Sequence, residues 1–233
     1  LSSDGDFWKR QHKMIRPGFH RERIEAYAAV MVAYTRRMID RWQQGQRLPM
    51  DDEMTALTLE IVAKTLFDAD VREDAGTVGE AMKVLNEVML EHIHFPVPVP
   101  RWWPSAANKR KVKALDDIEA IILRIIEERR REGVDRGDLL SMLVFARDDE
   151  GAAMHDKQLR DEAMTLFFAG HETTAHAMTW TWYLLSRYPA VAERLNDDIQ
   201  AVTGGDHLRV EHLAELPYLD QVIKESMRIL PSV

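Results

Sequence analysis

No cysteine occurs among the 233 residues. Disulfides, thiol nucleophiles and zinc sites built on thiolates are thereby excluded from this chain. A basic excess is missing too: 31 lysines and arginines stand against 39 aspartates and glutamates, a formal net charge of −8. A surface that grips nucleic acid generally needs the opposite balance, because it must displace cations from phosphates. Long apolar runs are also lacking. The most apolar helical stretch, Thr173 to Ser186, holds His176 and several hydroxyl side chains and is too short and polar to span a bilayer. Fixed-period repeats and low-complexity segments are absent, and Leu1 to Asp6 resemble neither a signal nor a transit peptide. No run of strict apolar and polar alternation is bounded by turn residues, so no strand is expected.

What is present is helical periodicity nearly throughout. Asp6 is expected to cap a short helix that runs to Ile15 and is closed by Pro17 and Gly18. A second helix carries the stripe Ile24, Tyr27, Met31, Tyr34, Met38 and Trp42 and ends near Gly45. A third follows Asp51 with Leu57, Ile61, Val62 and Leu66, and a fourth spans 75–93 with Met82, Leu85 and Val88 facing inward. Pro96, Pro98, Pro100 and Pro104 then force a looped or extended segment, since proline has no amide donor; Trp102 and Trp103 are expected to anchor it. Beyond Ser105, the residues Leu115, Ile118, Ile122 and Ile125 mark a helix stopped by Gly133, and its charge run Glu127 to Glu132 reads as solvated surface. Further helices are expected over 139–145, 190–202 and 219–230. Between Asp156 and Pro189 no proline intervenes, which allows one helix of roughly 48 Å. The expected fold class is mainly α, with residues 1–233 in a single domain.

Chemistry concentrates in that long helix, at Phe167-Phe168-Ala169-Gly170-His171-Glu172-Thr173-Thr174. A glycine in mid-helix costs about 1 kcal/mol relative to alanine, so something should compensate for it. Ala169 and Gly170 leave a bare patch that a flat group or a second backbone can approach; close helix packing is the alternative. An acid beside a hydroxyl favours function, because an unpaired buried carboxylate is costly. The Thr173 hydroxyl can bond back to the carbonyl of Ala169, open the helix locally and admit a water as a route for protons. His171-Glu172 followed by His176 resembles a zinc-protease pair only superficially. Histidines five residues apart are rotated about 140° from one another and cannot clasp one ion, so no metal site is expected.

The hexapeptide Ala169 to Thr174 resembles the Ala/Gly-Gly-x-Asp/Glu-Thr-Thr/Ser signature of the cytochrome P-450 family, whose central helix passes over a haem. The resemblance implies that Thr173 helps to retain and protonate bound dioxygen, that Glu172 takes part in proton delivery, and that Ala169 and Gly170 leave room for the gas. Glu225-x-x-Arg228, 52 residues beyond Thr173 (225 − 173), is similar to the family's Glu-x-x-Arg motif and implies a buried ion pair with a structural role. The same spacing at Glu127/Arg130 and Glu128/Arg131 is explained by surface pairing along a helix. Trp8-x-x-x-His12 resembles the family's Trp-x-x-x-Arg/His helix, which implies that both side chains donate to a haem propionate. Lys9, Arg10, Lys13 and Arg16 make the same helix basic, and the implied partner is an acidic electron donor, a ferredoxin or a flavoprotein.

As a member of that family the chain is expected to hold the helical bulk of the P-450 fold, including the oxygen-binding helix, with most of the small β-sheet missing. The implied cofactor is haem b. Its axial cysteine belongs to a Phe-x-x-Gly-x-x-x-Cys loop that this sequence does not contain, so the chain is expected to be a central piece of a longer enzyme and inactive alone. That enzyme would insert one atom of dioxygen into an apolar C–H bond, using two electrons and releasing water. A non-catalytic truncated helical protein and a peroxide-using member of the fold are the alternatives; retention of Glu172 and Thr173 speaks against the second. Phe167, Phe168 and the segment 95–103 suggest an apolar substrate pocket. A cytoplasmic location, with no membrane association of this segment, completes the expectation.

Overall fold

The computed structural model describes residues 4–68, 77, 79–81, 84, 99–148 and 150–232. Its named helices are α1 (Gly5–Ile15), α2 (Arg21–Ile39), α3 (Met50–Phe67), α4 (Ala106–Glu132), α5 (Leu139–Phe145), α6 (Asp156–Arg187), α7 (Pro189–Thr203) and α8 (Pro217–Ile229). Residues 77, 79–81 and 84 are helical as well. Met82, Leu85 and Val88, expected to face inward from a fourth helix, lie outside the described residues. Among the described residues the only β pairing is one isolated bridge between Arg147 and Ala153, and no helix is long and apolar enough to cross a membrane. The chain divides into two compact units, residues 1–14 with 67–165 and residues 15–66 with 166–233.

In the first unit α4 is the long support. Ser105 caps it, its hydroxyl accepting from the Asn108 amide at 3.1 Å, and Gly133 closes it in the left-handed conformation at φ 67°. Ile118, Ile122, Ile125 and Ile126 form its buried seam, and α5 packs beside it with Leu139, Leu140 and Leu143 buried. Each such side chain contributes about 1.5–3 kcal/mol by leaving water. The charge run is not all solvated, however. Arg129 is buried because it faces Asp138, the N-cap of α5, at 2.8 Å, and donates to the Phe67 carbonyl at 2.9 Å. Arg130 pairs with Asp156 and Glu128 with Arg124, so the pairings implied by the Glu-x-x-Arg spacing there do not form.

The proline-rich segment is described from residue 99 onward, and its tryptophans do not anchor it. Trp102 and Trp103 are 75% and 51% exposed. Asn108 performs the anchoring instead: its buried side-chain amide donates to the carbonyls of Pro100 (2.9 Å), Arg101 (3.2 Å) and Trp103 (2.9 Å). The two N–H donors of the Asn108 amide are shared among the three carbonyls, while both indoles point to solvent-exposed positions.

In the second unit the C-terminal half of α2, α3 and the later part of α6 share a core of Met38, Met54, Leu57 and Ala175, with Tyr34, Trp42, Ile61 and Met178 packed around it. The stripe on α2 is therefore only partly a core stripe, and Ile24 and Met31 stay exposed. The helix also stops at Ile39 rather than near Gly45. Arg41 and Trp42 donate to the carbonyls of Met38 and Ile39, tightening the final turn until it can no longer continue as α-helix. Trp42 then donates its indole N–H to Glu53 of α3 at 3.0 Å. Downstream, α7 ends at Gly204 in the left-handed conformation, a short 3-10 turn (Val210–Glu215) follows, and α8 packs on α7 with Arg194 stacked over the Tyr218 ring at 3.8 Å.

Candidate active site

The buried edge of α6 is a chain of residues at four-residue spacing: Leu159, Ala163, Phe167, His171 and Ala175. Side chains at that interval share one face. Ala169 and Thr173 are displaced by about 200° from His171 on a helix of 3.6 residues per turn, which puts them on the opposite side. Ala169 is exposed there and Thr173 half-buried. The Thr173 hydroxyl donates to the Ala169 carbonyl at 2.8 Å, and Thr174 makes the same bond to Gly170 at 3.0 Å. The helix nevertheless runs unbroken from Asp156 to Arg187, so this side-chain bond does not open it.

The two small residues serve different ends. Ala169 lies on the outward face, whereas the bare side of Gly170 faces α3: a Cβ at this position would stand 3.3 Å from Cγ2 of Val62. Close packing thus accounts for the mid-helix glycine, the alternative left open above. Glu172 is half-buried, and no salt bridge to it is found among the described residues.

His171 is the polar residue whose position periodicity reveals only in retrospect, since it interrupts an otherwise apolar series at 159, 163, 167 and 175. It is 2% exposed, stacks on Phe167 with ring centroids 5.9 Å apart, and its Nδ1 meets no partner. Burial, assisted by the neighbouring His176, depresses its pKa from 6.5 to about 4, so the ring is neutral near pH 7. Phe167 belongs to this buried face as well. Among the described residues no cluster of three or more histidine, aspartate or glutamate side chains could hold a metal ion.

Trp8 and His12 lie in the first unit, one turn apart on α1. Their rings stack with centroids 5.0 Å apart and 26° between planes, and both are exposed. Two ring N–H donors on one exposed face suit an anionic group such as a haem propionate. The basic residues around them are partly engaged. Lys9 pairs with Asp6 at 3.1 Å and Arg10 with Asp148 at 2.5 Å; because α1 begins at Gly5, Asp6 lies inside the first turn rather than at the expected cap. The amide of Ala152 first, and then Arg10, hold the Asp148 carboxyl below its ordinary range. Lys9, Arg10, Lys13, Arg147, Asp148 and Glu150 border one groove of mixed charge.

In the second unit Glu225 and Arg228 form the paired geometry, with Nε and Nη2 of Arg228 each donating to a Glu225 oxygen at 2.7 Å. The pair is not buried as expected: the side chains are 56% and 70% exposed. The inward side of α8 is taken by Val222 and Ser226, leaving the acid and the arginine on its outer side. Arg228 holds the Glu225 carboxyl below its usual range through these hydrogen bonds. Glu225 also borders an apolar groove of about 420 Å³ formed with Leu184, Tyr188, Val191, Tyr218 and Val222.

The whole chain, residues 1–233, matches the family model described as Cytochrome P450. Among curated proteins it is 34% identical over 98% of its length to cyclooctat-9-en-7-ol 5-monooxygenase of Streptomyces melanosporofaciens, covering 50% of that protein. It is 31% identical over 96% of its length to pentalenene oxygenase of Streptomyces avermitilis, again covering 50%. The crystal structure of the cytochrome P450DA heme domain superimposes with a TM-score of 0.83 at 25% identity, over 97% of this chain and 50% of that one. A retinoic acid bound cyanobacterial CYP120A1 superimposes with a TM-score of 0.84 at 22% identity, over 99% of this chain and 50% of that one. The chain therefore spans about half the length of the proteins it matches, and with the family model covering it from end to end it belongs to the cytochrome P450 family.

Proposed function

We propose that the complete protein is a haem-thiolate monooxygenase that inserts one atom of dioxygen into an apolar organic substrate. The observation that carries this reading is the outward face of α6, where a threonine hydroxyl bonded to an alanine carbonyl stands beside a half-buried glutamate. The relatives named for oxygenating cyclooctat-9-en-7-ol and pentalenene support an apolar substrate. Haem b would supply oxygen binding and electron storage, with its thiolate ligand coming from outside residues 1–233. Within this chain, Trp8 and His12 would hold a propionate, and Ala169 and Thr173 would border the oxygen side. The reading further takes residues 1–233 as part of a single domain, an electron donor of the ferredoxin or flavoprotein type, and a cytoplasmic location.

A carbonyl oxygen can only accept, so the bond to Ala169 commits the Thr173 hydrogen and leaves the hydroxyl lone pairs for a group on the open face. Thr173 thereby holds a proton-bearing partner in place, and the carboxyl of Glu172 exchanges protons with solvent. The net reaction consumes substrate, dioxygen, two electrons and two protons, and yields hydroxylated product and one water. Thr173→Ala in the complete enzyme should leave electron consumption largely intact while product per electron falls, by about the 10²-fold that one positioned proton-handling group contributes at the least. Thr173→Ser, which keeps the hydroxyl, should restore most of the coupling. The measurement is product formed per reduced donor consumed. Undiminished coupling in Thr173→Ala would favour the peroxide-using reading.

A further inference from the structure

Among the acids of α6, Glu162 has no evident structural task. Asp156 pairs with Arg130 and Asp161 with Arg160, whereas no hydrogen bond or ion pair to Glu162 is found among the described residues. It is half-buried all the same, and burial raises its pKa. The residues one turn away on either side, Gln158, Leu159, Thr165 and Leu166, include no cation, and Thr165 commits its hydroxyl hydrogen to the Asp161 carbonyl. The helix dipole does not explain the acid either, because its influence fades beyond the first turn and α6 begins at Asp156. A partly desolvated carboxyl without a partner costs free energy, and titratable groups perturbed in this way cluster at functional sites.

The helix sets where Glu162 stands. Ala169 lies 7 residues on (169 − 162) and Thr173 lies 11 (173 − 162), and on an unbroken α-helix both return to within about 20° of Glu162 around the axis. Along the axis the acid is about 10 Å from Ala169 and about 16 Å from Thr173. Leu166, between them on that side, is apolar. We propose that Glu162 is a specificity-determining residue, whose carboxylate accepts a hydrogen bond from the hydroxyl of an elongated and otherwise apolar alcohol, with the carbon to be oxidised lying near Ala169 and Thr173. The inference rests on the monooxygenase reading, which puts the substrate on this face of α6, and narrows its substrate class. A hydrogen bond to an ionised acceptor is roughly twice as strong as one between neutral groups. A site that pairs a substrate hydroxyl also rejects the analogue lacking it, because the site's own polar group is then left without a partner.

The test is calorimetric binding of farnesol, an apolar chain with one terminal hydroxyl, and of farnesyl methyl ether, which has no hydrogen to donate, to the complete haem-loaded protein without reductant. The parent should bind the alcohol more tightly than the ether by roughly tenfold or more, the factor carried by a hydrogen bond to a charged group. Glu162→Leu should abolish the preference while keeping or improving affinity for the ether. Glu162→Gln, which still accepts a hydrogen bond but carries no charge, should retain part of the preference. Neither variant should lower the unfolding midpoint, since Glu162 makes no bond within the described chain. Equal affinity of the parent for alcohol and ether, binding of neither, or a preference that survives in Glu162→Leu would overturn the proposal. The monooxygenase reading is judged separately, by whether bound farnesol is oxygenated once an electron donor and dioxygen are supplied. A preference for the alcohol without oxygenated product would count against that reading and leave the recognition of the hydroxyl by Glu162 standing.

Discussion

Arg129→Ala in the complete protein is expected to cost about 3–5 kcal/mol of stability at pH 7, the range for breaking one side of a buried ion pair. Arg129 and Asp138 are 2% and 3% exposed and lie 2.8 Å apart. The guanidinium also donates to the carbonyl of Phe67, so its loss strands a carboxylate and a carbonyl together. Asp138 is already strained as an ion. Burial raises its pKa, against the lowering effects of the Ser141 amide and the Arg129 charge. Without Arg129 the carboxyl should titrate higher still. The destabilisation of the variant should then shrink as the pH falls and Asp138 takes up its proton.

A double change separates charge from packing. Arg129→Met/Asp138→Ser removes both charges, while serine keeps a side-chain oxygen for the cap that Asp138 now provides to Ser141 at 2.6 Å. Replacing a buried pair with uncharged groups is often close to neutral, so the double variant should recover more than half of what Arg129→Ala loses. Urea unfolding followed by circular dichroism gives all three values. A loss in Arg129→Ala of about 1 kcal/mol or less, the size of an exposed pair, would mean that water reaches the site.

The second large effect concerns acid. An imidazole that titrates near 6.5 when unfolded and about 4 when folded leaves stability untouched above pH 6.5. As the pH falls through 6.5 the unfolded chain gains a proton that the folded chain refuses, and stability drops until roughly pH 4. Integrated over that window the loss is about 3 kcal/mol. His171→Phe places an apolar ring against Phe167 and removes the buried nitrogen without a partner, so this acid sensitivity should vanish and the pH slope of the unfolding free energy between 6.5 and 4 should fall by close to one proton. Identical slopes in the two proteins would show that His171 is reached by solvent. Because His171 lies on the face of α6 opposite Ala169 and Thr173, the same variant should retain the coupling that Thr173→Ala loses.

Most of the helices can be read in the sequence because their ends are written in local chemistry. Ser105 and Gly133 bracket α4, Leu139 to Phe145 is bounded as expected, and the absence of proline between Asp156 and Pro189 permits α6 to run unbroken. The family is likewise carried by a few residues in order along the chain, Trp8 and His12, the hexapeptide at 169–174, and Glu225 with Arg228. The bond from Thr173 to Ala169 follows from spacing alone, since a threonine four residues beyond a carbonyl on a helix can reach it.

Tertiary structure decided which side of each helix faces inward and what meets it there. Nothing local distinguishes Arg129 from its neighbours in the run Glu127 to Glu132; it is buried because Asp138, nine residues on, and the carbonyl of Phe67, 62 residues back, converge on it. Gly170 reads equally well as an opening for a ligand or as a packing site until Val62 of α3 is seen beside it. His171 is neutral, and Trp102 exposed, for the same reason. Burial and the shift of a pKa are properties of everything that surrounds a side chain, and most of those surroundings lie far away in sequence. Helix-forming tendency and i,i+4 bonds depend on near neighbours, and those the sequence by itself determined.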